Sequence, residues 1–405
     1  MREVAIIGAG MTRFGKHVER GLKNLAREAI EGALASGGVE KGGVEAAVVG
    51  NAVAGLITGQ ECIRAQVVLR EMGIGGIPVV NTENACASAS TAFHLAWLYV
   101  ASGLYDVVLA VGMEKLYHED KRRSFAAIGS AVDVEQMQAI LKSMKAQGKE
   151  EEEGAGAGKS RSMFMDFYAQ SAREHMRRWG TTKEQFAAVA AKNHTNGSLN
   201  PYAQFQVART VDEVLRAPMI AEPLTRMMCS PIGDGAAAVV LTSADKARRY
   251  TGRPVHVKAS VLASGKDRGE GEPVVVEQAA HRAYEIAGVG PADLDVAEVH
   301  DASAPAEIFI YEELGLCRPG EGGRLIGEGV TALGGRIPVN PSGGLLAKGH
   351  PIGATGVAQI TEIFWQLRGE AGERQVPDAK VGLTQNAGGV IRGEPAAVAV
   401  HIFTA

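Results

Sequence analysis

Cys86 lies in Asn84-Ala85-Cys86-Ala87-Ser88-Ala89, between an expected strand at Val79-Val80 and an apolar helix expected from about Ala87 to Ser102. Small neighbours permit a sharp turn and leave the sulfur reachable. The positive end of the following helix favours a thiolate, and free N–H groups there can bind an oxyanion. His350 lies in Gly349-His350-Pro351-Ile352-Gly353-Ala354-Thr355-Gly356, where glycines clear space around the ring and Pro351 fixes a turn. A base beside a thiol is what nucleophilic catalysis requires. His300 ends an expected buried strand, Asp295 to Val299, where functional groups of open α/β sheets collect. The bland readings are an inert buried cysteine and a satisfied core histidine.

The elements that must position these residues repeat. A strand at 4–8, a helix at Leu22 to Ala35 and a strand at Val44 to Val49 fill the first 50 residues. The same order returns as a strand at Val255 to Leu262, a helix at Val276 to Ala287 and a strand at Asp295 to Val299. Each half then reaches a reactive side chain at a helix start: Cys86 in one, and His350 before a helix at about Ala354 to Leu367 in the other. This predicts two similar α/β halves with a site where they meet. Strands at Lys380 to Leu383 and Val398 to Phe403 close the second half, and Pro231 to Leu241 returns to the first.

Residues 115–225 break the pattern. Helices are expected at Glu135 to Lys145, Met165 to Trp179 and Lys183 to Asn193, with an exposed low-complexity loop at Glu150 to Gly158. They read as a mainly helical insertion over the site. Gly8 and Gly10 hint at a dinucleotide loop, but Arg13 stands where that motif needs its third glycine.

Composition narrows the function. The chain has 405 residues, 46% of them hydrophobic, with 51 glycines and only 5% aromatics, as in layered α/β proteins. A net charge of −4 argues against a nucleic-acid or membrane-surface binder. Cys62, Cys86, Cys229 and Cys317 have neither metal-ligand nor redox-motif spacing, so no metal is expected. The chain runs from Met1 almost directly into a strand and has no apolar run of membrane-spanning length, so a cytoplasmic location is expected.

Taken in order, these segments resemble the thiolase family over essentially the whole chain. Asn84–Ala89 resembles its nucleophile motif, and Cys229–Ala238 the segment bordering the pantetheine. Glu298-Val299-His300-Asp301 resembles the HD motif of the sterol-carrier-protein-type and archaeal-type branch. Asn340–Gly356 resembles the Gly-His-Pro block, and Asn386-Ala387-Gly388-Gly389 occupies the place of the Cys-x-Gly motif.

The resemblance implies a thiolase-like fold of two pseudo-symmetric α/β halves in layered αβαβα arrangement. The halves would be 1–114 plus 226–250, and 251–405, with 115–225 as a loop domain over the active site. It implies thiolytic cleavage of a 3-oxoacyl-CoA or the reverse Claisen condensation. Coenzyme A would be the co-substrate, with no permanent cofactor. Cys86 would carry the acyl group and His350 would take its proton. His300 would line the hole that holds the enolate thioester oxygen. Backbone N–H groups of Cys86 and Gly388 would hold the second oxyanion. Ser230 and Met113 would border coenzyme A. It also implies a homodimer or higher oligomer, and a small zinc-ribbon/OB-fold partner protein.

The chain departs from the family at two places. The second cysteine, which handles the α-proton, is replaced by Asn386, and the substitute position after His-Asp is Ala302, followed by Ser303. That leaves His300, His350 or a water held by Asn386 to move the proton. Acetoacetyl-CoA fits the small residues around Cys86. A bulky aromatic or branched substrate such as benzoylsuccinyl-CoA fits the Ala302–Ser303 pair. Two other readings share these residues: a decarboxylating ketoacyl synthase and a non-catalytic acyl-CoA-binding subunit.

Overall fold

The structure is a computed structural model that describes residues 1–139, 161–269 and 271–405. The low-complexity stretch 150–158 lies outside the described residues, as does most of the helix expected at 135–145.

The first half is built from β1 (Val4–Met11), α1 (Leu22–Gly37), β2 (Ala46–Gly50), β3 (Val79–Thr82), α2 (Ser88–Ala101) and β4 (Val107–Glu114). Two helices follow in the insertion, α3 (Met163–Trp179) and α4 (Lys183–Ser198), and β5 (Gly235–Ser243) rejoins the sheet. The second half comprises β6 (Val255–Ala263), α5 (Val275–Ala287), β7 (Val296–Glu298), α6 (Ala304–Glu313), α7 (Thr355–Arg368), β8 (Val381–Ile391) and β9 (Glu394–Thr404).

Among the described residues nine strands form one sheet, in the order β3-β2-β4-β5-β1-β6-β9-β8-β7. Read outward from the centre, each half repeats one pattern. β1 and β6 each pair antiparallel with the strand that closes their half, β5 and β9. Those strands pair antiparallel with β4 and β8, which lead in parallel to β2 and β7. Antiparallel pairing of β1 with β6 joins the halves, with Val4 opposite Val257.

The buried strands are near-continuous apolar runs because both faces are covered. On one side of the first half, α1 lays Leu25, Ala29, Ile30 and Ala33 against Ile7, Val49 and Leu109. Gly8 and Gly10, read from sequence as a hint of a nucleotide loop, sit inside β1 and let α1 close on the strand. A Cβ on Gly8 would meet the Ala33 carbonyl, and the Gly37 nitrogen at 2.5 Å. The other face carries α2 and α7, packed together in one cluster through Ala89, Phe93 and Ala96 with Val357, Ile360 and Phe364. These helices begin just after Cys86 and His350, so their packing brings both reactive residues to one place.

β8 is longer than the strand expected at 380–383. Its inner half, Thr384-Gln385-Asn386, is polar and buried and ends in Gly388-Gly389, so it lacks the apolar signature of a core strand. The ladder to β9 nevertheless runs to Ile391. The insertion is anchored to the second half by polar contacts from α4. Lys192 pairs with Glu307 at 2.6 Å, and Asn193 Nδ2 donates to Asp301 and to Glu307, each at 2.7 Å.

Replacing Gly8 by Ala is expected to lower the unfolding free energy by about 1–3 kcal/mol, because backbone atoms on both sides cannot recede. Gly42, whose Cβ would meet nothing within 4 Å, should tolerate Ala within about 0.5 kcal/mol. Urea unfolding midpoints of the two variants check the pair.

Candidate active site

The turn before α2 is strained and pinned. Ala85 has φ 47°, a left-handed conformation that Cβ-bearing residues rarely adopt. Ser88 holds it, accepting from Asn84 N–H at 2.9 Å and donating to Ala85 O at 2.6 Å. The result turns the Cys86 side chain into a cavity of about 2040 Å³ that is also lined by His300, Ala302, His350 and Gly388.

Cys86 Sγ lies 3.3 Å from His350 Nε2. The direction of that hydrogen bond follows from the next shell. Thr355 Oγ1 donates to Pro351 O at 3.1 Å, so it accepts from His350 Nδ1–H at 2.7 Å. Nδ1 therefore carries the ring proton, and the bare Nε2 accepts from the Cys86 thiol. Gly356 makes the approach possible: a Cβ there would meet the Ser90 nitrogen of α2 at 2.6 Å.

Burial, then the Glu114 carboxyl, pushes the Cys86 thiol up to about 12, although the N–H groups of Cys86 and Gly389 pull the other way. Burial, then the neighbouring His300 and Lys348, hold His350 well below the ordinary histidine range. The resting pair is neutral. This corrects the expectation of a resting thiolate: loss of solvent outweighs the helix terminus, which begins two residues beyond the sulfur.

His300 stands edge-on to His350, ring centroids 5.1 Å apart. Its backbone N–H donates to Gln385 Oε1 at 3.0 Å, and Asn386 Nδ2 lies 3.1 Å from its Nδ1. An amide nitrogen only donates, so Nδ1 is the acceptor and the ring proton sits on Nε2. Burial lowers His300 to about 4, so it too is neutral. Ligand atoms of Cys86, His300 and His350 lie within 4.8 Å of one another, close enough to share a metal ion. The wide sequence spacing gave no sign of this.

The other expected residues divide. Gly388 packs against the nucleophile turn, where a Cβ would meet Ala87 N at 2.6 Å and Cys86 N at 3.0 Å. Ser230 borders the cavity, its N–H bonded to Ala302 O at 3.1 Å. Met113 does not border it. Its side chain is fully buried in the core between α1 and the sheet, because strand alternation points it away from the site. Cys229 lines the cavity and donates its S–H to Thr225 O at 3.4 Å.

Two buried carboxyls hold the site; the sequence reading missed Glu114 and quoted Glu298 only as part of a motif, without its partner. Glu114, at the end of β4, accepts N–H bonds from Ala52, Val53 and Gly353, the last at 2.8 Å. It ties the turn after His350 to the first half. Glu298 is fully buried and pairs with Lys348 at 3.1 Å, joining the strand before His300 to the turn before His350. Nothing local distinguishes either residue from a surface acid in the bare sequence.

Known proteins resemble this chain along most of its length. Residues 4–245 match the family described as "Thiolase, N-terminal domain" and residues 268–401 match "Thiolase C-terminal domain-like". The chain is 43% identical to an acetyl-CoA acetyltransferase of Methanothermobacter thermautotrophicus, with both chains covered in full. It is 37% identical to sterol carrier protein 2 of Bos taurus, over 95% of this chain and 70% of that one. It is 35% identical to "Benzoylsuccinyl-CoA thiolase subunit BbsB" of Thauera aromatica, over 96% of each. Among solved structures it is similar to "Ltp2-ChsH2(DUF35) aldolase", at 25% identity and TM-score 0.80, covering 100% of this chain and 98% of that one. No helix among the described residues is long and apolar enough to cross a membrane.

Two outcomes follow from the buried charges. Glu298→Ala leaves the Lys348 ammonium unpaired in the core and should cost about 3–5 kcal/mol, read by chemical unfolding; adding Lys348→Met should recover most of it. Alkylation of Cys86 by iodoacetamide should rise about tenfold per pH unit between pH 7 and 10, as expected of a thiol whose pKa lies above that window. A plateau below pH 8 would instead mean a resting thiolate–imidazolium pair.

Proposed function

Because the chain belongs to the thiolase family of acyl-CoA C-acyltransferases, we propose that it exchanges acyl groups between carbon and the sulfur of coenzyme A through acyl-Cys86. In the cleavage direction the sulfur adds to the 3-keto carbon of a 3-oxoacyl-CoA while His350 takes the thiol proton. The C2–C3 bond then breaks, and its electron pair leaves as an enolate on the thioester. Coenzyme A next attacks acyl-Cys86, giving ping-pong kinetics. The reverse sequence is a Claisen condensation. One observation carries this reading: Cys86 Sγ sits 3.3 Å from a bare His350 Nε2 on a cavity wall.

His300 Nε2–H fits the role of donor to the enolate oxygen, and the N–H groups of Cys86 and Gly388 fit the second oxyanion. A preorganised donor of this kind supplies about 3–4 kcal/mol of transition-state stabilisation. Ser230 borders the path for coenzyme A, which acts as co-substrate.

The substrate reading that the relatives named acetyl-CoA acetyltransferase favour is acetoacetyl-CoA. A second reading is favoured by the cavity: Ala302 presents little volume on a wall that also carries Phe309 and Tyr168, which leaves room for an aromatic or branched acyl group, whereas Ser303 is buried behind that wall and does not line it. The Thauera relative is named for such a substrate.

A homodimer is proposed from family analogy and from β3, which lies at the edge of the sheet. A second polypeptide, of the small zinc-ribbon/OB-fold kind, is proposed because the Thauera relative is named a subunit and the solved neighbour is titled as a pair.

Thiolysis of a panel of 3-oxoacyl-CoAs, with intact-mass measurement of the protein, tests these readings. Wild type should gain one acyl group on Cys86, and Cys86→Ala should gain none and lose turnover by more than about 1,000-fold. Ala302→Phe should abolish turnover of aromatic substrates and spare acetoacetyl-CoA if the second substrate reading holds. Absence of any acyl adduct on wild type would favour a non-catalytic acyl-CoA-binding subunit.

A further inference from the structure

The unassigned step is proton transfer at the α-carbon, for which this chain carries Asn386 at the place of the family's second cysteine. The titratable residues on the cavity wall include Cys86, His300, His350, Tyr168, Cys229 and Glu313. Hydrogen bonds separate Cys86, His300, His350 and Cys229, and the variants below separate Tyr168 and Glu313. His300 has Nδ1 capped by Asn386 Nδ2 and its proton on Nε2, so it has no free lone pair with which to act as a base. Cys229 gives its S–H to Thr225 O. His350 presents its bare Nε2 to Cys86. The sulfur and the departing C2 are bonded to the same carbon in the adduct. A ring in hydrogen-bond contact with one is therefore within reach of the other.

We propose that His350 is the sole acid–base of this chain, moving one proton from Cys86 to the α-carbon, and that Asn386 is a positioning residue that keeps His300 as an Nε2–H donor. The proposal rests on the acyl-Cys86 reading above. The steps balance without another group. His350 takes the Cys86 proton as the S–C3 bond forms. The C2–C3 bond breaks, its pair becomes the enolate, and the same proton passes from His350 to C2. In the second half His350 takes the proton of the coenzyme A thiol and returns it to Cys86 as the S–C3 bond breaks. Burial beside His300 and Lys348 makes the transient imidazolium a strong acid, which suits delivery to carbon.

The test is exchange of the α-hydrogens of acetyl-CoA with D2O, followed by mass spectrometry on the full-length protein. Exchange needs enolisation but no acyl transfer. It should therefore persist in Cys86→Ala and fall by about 100-fold or more in Cys86→Ala/His350→Asn. In Cys86→Ala/His350→Ala, added imidazole should restore it, which a folding defect would not allow. Asn386→Asp supplies only acceptors, so it draws the His300 proton to Nδ1 and strips the donor from Nε2. Exchange should fall by about tenfold or more while iodoacetamide alkylation of Cys86 keeps its wild-type rate. Loss of exchange in Cys86→Ala, or its survival without His350, would overturn the proposal. So would its loss in Tyr168→Phe, Cys229→Ser or Glu313→Gln with His350 intact. Acyl-Cys86 is detected separately by mass in wild type, so failure of that reading is distinguishable from failure of this one.

Discussion

The contact between the Cys86 thiol and His350 Nε2, at 3.3 Å, is the constraint around which the molecule is arranged. Its two partners are 264 residues apart and belong to different halves. Holding them together on the cavity wall requires that each sit at a helix start, that the helices pack through small side chains, and that buried acids lock the turns. Glu114 fixes the turn after His350 to β4, and Glu298–Lys348 fixes the two histidine-bearing segments to each other. The same burial keeps thiol and imidazole neutral. In the proposed reaction, charge appears only when a reacting carbonyl arrives, and the N–H groups assigned to the oxyanion would meet it there.

Much of this was legible from the chain. The repeat of strand, helix and strand at 4–50 and 255–300 foretold the duplicated topology, because periodicity survives where packing is regular. Cys86 and His350 could be picked out because small residues and glycines bracket them, and His300 because it ends a buried strand. Glu114, Glu298 and Thr355 could not be ranked, since their importance comes from partners far along the chain. Met113 misled because a family resemblance says nothing about which face of β4 a side chain occupies. The resting charge state also escaped: helix polarity is visible in a sequence, but the depth of burial that overrides it is not. β8 looked short because its functional half is polar.

Replacement of the second cysteine by Asn386 fits this picture. An amide cannot titrate, but it directs a neighbouring imidazole. At 3.1 Å from His300 Nδ1 it donates there and leaves the ring proton on Nε2.

The antiparallel seam between β1 and β6 carries a consequence of its own. Each half holds one member of the reactive pair, so a chain divided near residue 250 would yield two fragments, one with a sulfur and no base, the other with a base and no sulfur. Activity belongs to neither fold unit but to their mutual alignment. The molecule behaves as a covalently tethered pseudodimer whose two lobes have exchanged equivalence for complementary labour.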